Sequence, residues 1–265
     1  MSMKSVAVAS PKGGNGKSAV SMNLGRKSVQ LNERTLLVDF DKQGSLSKAH
    51  PRTADPSKRY ITTLDLFGSL DDLEDAELEY LEPGLAIIRV EPKDFEALLK
   101  LELMPDEFTK RPARILRHFA AQFDVGVYDT PGSIGQFLKA ALTAADAVVC
   151  PLKVGLYDTD ALGQLWRFMA LIRTRGFNPK LRLLGMIPSL VDTRDKMELD
   201  ALQKLREHPQ FGPMIWPYML AHRVPVSRAI NMRRAVWEGA KTKSHKDAAE
   251  HWTGACERVL ASLEG

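Results

Sequence analysis

Residues Ser10-Pro11-Lys12-Gly13-Gly14-Asn15-Gly16-Lys17-Ser18 combine three glycines, two lysines and two serines in a spacing that suits phosphate binding. Glycines at 13, 14 and 16 open backbone angles closed to other residues and let the chain approach an anion. The freed amides, with the N-terminus of a following helix, present partial positive charge to it. Lys17 can reach β- and γ-phosphates, and the Ser18 hydroxyl can ligate Mg²⁺. The strict P-loop pattern has a glycine where this chain has Pro11, so the motif is the variant K-G-G-x-G-K-[ST]. Average composition would produce that variant in roughly one chain of this length in ten thousand, so a decorative glycine turn is set aside.

Two carboxylate segments complete such a site. Val38-Asp39-Phe40-Asp41-Lys42-Gln43-Gly44 and Val127-Tyr128-Asp129-Thr130-Pro131-Gly132 each end an apolar run on aspartate. Taken singly, an aspartate at a strand end is more often a turn or helix cap. Two in this order behind a phosphate loop favour ligands of a magnesium–water cluster. Open parallel sheets bind ligands at the carboxyl ends of their strands, so Asp39, Asp41 and Asp129 are expected to converge on residues 13–18.

The elements that must position these residues are legible as short apolar runs between longer helical patterns. Residues 5–9, 35–39, 85–90, 124–129, 147–151 and 181–187 read as strands, bounded by glycine, proline or polar residues. Residues 17–31, 105–122, 134–144, 157–175 and 194–207 read as helices. From residue 245, Ala248, Trp252, Cys256, Val259 and Leu263 share a face and predict a docked C-terminal helix. Strands separated by helices predict a doubly wound α/β fold with a mostly parallel sheet. No linker or repeat divides the sequence, so residues 1–265 read as a single domain.

Composition narrows the class further. The 265 residues are 44% hydrophobic and 26% charged, enough for a sizeable core and ordinary for a folded chain. No apolar run approaches the ~18 residues of a membrane span, and the N-terminus lacks the pattern of a signal peptide. Cys150 and Cys256 form neither a disulfide framework nor a C-x-x-C site, so a reducing, cytoplasmic setting is expected. The net charge of +4 is unevenly spread. Residues 69–82 hold seven acidic side chains and no basic one, whereas residues 218–246 hold seven basic ones against Glu238. Such runs are usually solvated faces; the sharper reading is a polyanion-facing surface near the C-terminus.

Taken together, these segments resemble the ParA/MinD family of deviant-Walker ATPases, and within it the short ParA partition proteins. The resemblance rests on residues 12–18, 37–44 and 128–133, continues through 140–151 and Leu190-Val191-Asp192-Thr193-Arg194, and covers nearly the whole chain. It implies ATP and Mg²⁺ as cofactors, with Lys12, Gly13, Gly14, Asn15, Gly16, Lys17, Ser18 and Ala19 around the nucleotide. Lys12 matches the family's signature lysine, which implies that it crosses an ATP-sandwich homodimer to the other subunit's phosphates. Asp41 matches the carboxylate that positions the attacking water. The metal set implied is Ser18, Asp41 and Asp129, and the catalytic set Lys12, Lys17 and Asp41.

Three positions depart from the family pattern. Asn15 replaces a small apolar residue, Lys42 the common proline after Asp41, and Pro188 lies where some relatives place an asparagine against adenine. Base recognition is therefore expected from backbone around Pro217, Tyr218 and Met219. With few residues before the first strand, the short form without a helix-turn-helix is expected. The resemblance further implies slow hydrolysis stimulated by a ParB-type partner. It also implies non-specific DNA binding by the ATP dimer through Arg223, Arg228, Arg233, Arg234, Lys241 and Lys243, hence nucleoid association. Internal pairing of some of these side chains is the plainer reading of each one. A positioning ATPase for a protein complex, conjugation machinery or a membrane cargo remains the alternative, and Lys42 admits a non-hydrolysing scaffold. A membrane-binding C-terminal helix is set aside because Asp247, Glu250, Glu257 and Glu264 interrupt it. A shared metal cluster is set aside because neither cysteine has a glycine-flanked ligand setting.

Overall fold

A computed structural model describes residues 3–10, 12–52, 55–154 and 158–264. Its strands are β1 (Lys4–Val8), β2 (Thr35–Asp39), β3 (Glu79–Glu82), β4 (Leu85–Ile88), β5 (Val125–Asp129), β6 (Ala147–Lys153), β7 (Arg182–Val191) and β8 (Leu220–Ala221). They form one sheet in the order β3-β4-β2-β5-β1-β6-β7-β8, parallel throughout except for the β3–β4 edge pair. The helices are α1 (Lys17–Gln30), α2 (Ser45–Ala49), α3 (Phe95–Leu101), α4 (Arg111–His118), α5 (Gln136–Ala144), α6 (Asp158–Thr174), α7 (Lys196–Glu207), α8 (Val224–Asn231) and α9 (Lys243–Glu264).

Strands β2 and β5 are buried along their whole length, which is why they read as continuous apolar runs rather than alternating ones. Alternation survives in which layer each side chain joins. Val6 and Val8 pack in the layer of Val20 and Leu24 from α1 and Trp252 and Val259 from α9. Ala7 and Ala9 pack in the opposite layer with Phe137 of α5 and Leu162 of α6. Helix α1 reaches the sheet at Gly25, where a Cβ would stand 2.7 Å from Leu37 Cδ2. The sheet therefore presents the ends of β1, β2 and β5 side by side, with Val8, Asp39 and Asp129 in register.

The doubly wound, mostly parallel sheet is as expected, and the C-terminal stripe of Ala248, Trp252, Cys256, Val259 and Leu263 is buried. Four details differ. Residues 105–122 are not one helix: a 3-10 turn, Asp106–Lys110, precedes α4. Pro112 accounts for this, since a ring without an N–H is tolerated in a first helical turn and not in the interior. Leu31 lies past the end of α1 and is exposed. Strand β3 lies hidden in the acidic run, and β8 is two residues long, too short to show a period. Pro11 of the phosphate motif and Tyr157, where a helix was expected to begin, lie outside the described residues.

Candidate functional site

The loop between β1 and α1 takes the shape its glycines allow. Gly14 and Gly16 have φ of 76° and 79°, in the left-handed region, and Gly16 precedes the first turn of α1 without a side-chain cap. The first amides of α1 thus remain for an anion. Asn15 is buried and its Nδ2 donates to Ser10 Oγ at 2.5 Å, tying the two ends of the loop together. Its substitution for a small apolar residue is therefore accommodated by a partner. Lys12 is exposed, whereas Lys17 is buried with its Nζ donating to the Lys12 carbonyl at 3.3 Å. Burial lowers the Lys17 pKa, with Asp129 and Asp41 opposing that shift. Gly132, in the loop after β5, runs against this turn so closely that a Cβ would lie 2.7 Å from Gly13 N.

Asp129 ends β5 and is fully buried. Ser18 Oγ donates to its Oδ2 at 2.5 Å, and Ser21 Oγ to its Oδ1 at 2.9 Å. Burial raises its pKa and the neighbouring Asp39 raises it further, while both serines and Lys17 pull it down. A hydroxyl and a carboxylate side by side are hard oxygen donors, and a cation between them would offset the cost of that burial. Among the described residues no group of three or more His, Cys, Asp or Glu could hold a metal. That donor set fits Mg²⁺, which keeps part of its shell for phosphate and water rather than filling an all-protein cage.

The two aspartates of β2 and the loop after it divide their work. Asp39 accepts from Ser47 N at 2.8 Å, Ser47 Oγ at 2.7 Å and Asp41 N at 3.0 Å. Its carboxylate is thus committed to the first turn of α2 and to the loop itself, contrary to the expectation that it faces the phosphate loop. Asp41 is half-buried, receives the Gln43 amide on Oδ1 at 3.0 Å, and its charge, after that of Asp129, opposes the lowering of the Lys17 pKa by burial. Lys42 does not add its charge to the metal side. Its Nζ reaches Glu102 Oε1 at 2.7 Å and lies 5.3 Å from the Phe137 ring centre. Glu102 belongs to no motif and stands 60 residues away, so nothing local in the sequence points to it.

The remaining expected residues scatter. Pro217 is exposed; the Tyr218 ring is pressed on α9, where a Cβ at Gly254 would lie 2.4 Å from Tyr218 Cε1. The backbone that follows approaches the phosphate loop more nearly, since Leu220 pairs with Ser189 and Ser189 Oγ lies 3.0 Å from a Cβ placed on Gly16. The basic cluster splits. Arg223 is held by Asp247 at 2.6 Å and donates to the Ser244 carbonyl, the plainer reading of that residue. Arg228, Arg234 and Lys241 line one hollow of about 260 Å³. Arg233 and Lys243 are exposed beside it in sequence. In the acidic run, Glu79 pairs with Arg89, Glu77 with Lys58, and Asp72 accepts from Ser69, so much of that charge is used internally. Cys150 and Cys256 are buried, and burial pushes the Cys150 thiol up to about 12, as befits core residues.

A protein-family model described as an AAA domain (AAA_31) matches residues 3–183. The chain is 30% identical over 240 residues to the chromosome partitioning protein ParA of Caulobacter vibrioides, an alignment covering 88% of this chain and 86% of that one. Its fold is similar to that of a Cyanothece McdA variant in complex with ATP, with a TM-score of 0.81 at 20% identity over 97% of this chain and 96% of that one. It is also similar to the cobyrinic acid a,c-diamide synthase of Mycobacterium smegmatis with bound ATP analogue and magnesium. There the TM-score is 0.77 at 25% identity, covering 99% and 96% of the two chains.

Proposed function

The chain belongs to the ParA/MinD family of deviant-Walker P-loop ATPases and is of the partition type, and from that premise we propose that ATP closes two copies into a DNA-binding dimer. One observation supports the nucleotide chemistry on which this reading depends: Ser18 and Asp129 meet at 2.5 Å beneath a glycine loop whose Lys17 is buried. Residues 1–265 act as one ATPase domain. The amides of residues 13–19 and Lys17 bind the phosphates, and the backbone of Pro217 and Tyr218 borders the base. Mg²⁺, held by Ser18 and Asp129 with Asp41 nearby, would supply charge compensation on the phosphate oxygens. Asp41 aligns the attacking water, and Lys12 of each copy reaches the phosphates bound by the other. Phosphoryl transfer needs alignment and charge compensation more than covalent chemistry, so these few groups suffice.

A lysine given in trans makes dimerisation and hydrolysis interdependent. Slow cleavage then releases the dimer, and a ParB-type partner accelerates it. Two copies of the patch around Arg228, Arg233, Arg234, Lys241 and Lys243 grip duplex DNA where one does not, because phosphate contacts add. Arg223 is left out of the patch in this reading, as its charge is taken by Asp247. Light scattering with ATP and magnesium tests the proposed dimer. The native chain is expected to shift from monomer to dimer, and Lys12→Gln to bind ATP yet remain monomeric. A Lys12→Gln protein with unaltered dimerisation and turnover would remove the trans role.

A further inference from the structure

Glu102, at the end of α3, holds two loops at once. Its Oε1 accepts from Lys42, the residue next to Asp41, in an ion pair whose side chains are 20% and 25% exposed. Its Oε2 accepts the backbone N–H of Gln136, the first residue of α5, at 2.9 Å. A carboxylate there also lies favourably against the positive end of the helix. Gln136 returns the contact, its Nε2 donating to the Met104 carbonyl at 2.7 Å, and Lys139 one turn on pairs with Asp106. Gly135 admits the carboxylate because it has no side chain: a Cβ there would lie 2.8 Å from Glu102 Oε2. The β5–α5 loop so anchored begins directly after Asp129, and its Gly132 presses on Gly13 of the phosphate loop.

We propose that Glu102 is a positioning residue that locks the Asp41 loop to the loop after Asp129, fixing their mutual geometry. The proposal rests on the ATPase reading of the site. Lys42 and Gln136, which Glu102 joins, flank the Asp41 loop and the loop after Asp129 and lie outside residues 12–18, so its loss falls on turnover more than on nucleotide affinity. A misplacement on the order of 1 Å of a water-aligning group costs up to about a hundredfold in rate. The lysine after Asp41 does not fix its own backbone as a proline would, and the ion pair to Glu102 supplies that restraint.

Lys42→Met, Glu102→Ala, the double variant and Gly135→Ala, which displaces the carboxylate without deleting it, test the lock. Hydrogen exchange on the nucleotide-free chain is expected to quicken in residues 40–44 for Lys42→Met. For Glu102→Ala and Gly135→Ala it is expected to quicken in both 40–44 and 132–137. Turnover should fall by about tenfold or more in each variant with KM within about twofold, and the double variant should be no slower than Glu102→Ala. Exchange confined to one loop in Glu102→Ala, strictly multiplicative losses in the double variant, or an unchanged kcat would each overturn the proposal. A native chain without ATP hydrolysis would sink the ATPase reading instead, and the exchange pattern would still decide whether Glu102 joins the loops.

Discussion

Lys17, Ser18 and Asp129 owe their placement to short-range rules, and they were legible in the sequence for that reason. A glycine loop between strand and helix has one common use, and its lysine and serine are fixed by the helix that follows. The residues of the Asp39-Phe40-Asp41 run left its two carboxylates alike and the resemblance singled out Asp41; the structure supplies the reason Asp39 differs, since its carboxylate is taken by Ser47. Residues joined across 60 positions, such as Lys42 and Glu102, carry no local mark at all. At this scale Lys17→Ala is expected to abolish nucleotide binding, measured with a fluorescent ATP analogue. Asp41→Ala should still bind ATP and remain trapped as a dimer that does not turn over, visible as a persistent large species after gel filtration. The cysteines should be inert: both are buried, so thiol reagents at neutral pH are expected to label them only once the chain unfolds.

Among the elements, the strands buried on both faces were plain in sequence, whereas β3 was masked because its acidic residues look like a solvated surface. Glu79 of that strand is buried and accepts from Arg89 Nε at 2.6 Å and Nη2 at 2.7 Å, which also explains why the run is not simply a partner-facing patch. Glu79→Ala would leave Arg89 buried without its counter-ion and is expected to lower unfolding stability by about 3–5 kcal/mol in urea titrations. At the end of α2, His50 is buried, its Nε2 has no partner among the described residues, and burial together with Arg26, Arg89 and Arg233 lowers its pKa to about 3. The folded chain therefore keeps this ring neutral while the unfolded chain protonates it near 6.5. Its contribution to stability is complete above that pH and lost progressively as pH falls towards 3. A urea midpoint that drops more steeply on acidification for the native chain than for His50→Gln is the expected result.

On the scale of the whole molecule, the two helical layers follow from strands alternating with helices, and Val6 and Val8 face one layer while Ala7 and Ala9 face the other; the order of the strands is given by the structure alone. What the sequence could not sort was the basic run at the C-terminus, because pairing of Arg223 with Asp247 depends on how α9 docks beside α8. Among the described residues no helix is long and apolar enough to cross a membrane. Arg228, Arg233, Arg234, Lys241 and Lys243 are exposed, and on the reading proposed above they meet the DNA phosphates. Replacing Arg228 and Arg234 together is expected to weaken DNA binding and flatten its salt dependence, while Arg223→Ala should chiefly lower stability.

Nucleotide state, through dimerisation, is expected to control DNA affinity. The decisive measurement is salt-titrated binding to random-sequence duplex DNA with ATP and magnesium, with ADP and magnesium, or without nucleotide. Binding that appears with ATP alone, and weakens steeply as salt rises, is the result expected. ATP-driven dimers that bind no DNA in any state, or equal binding with and without ATP, would contradict it.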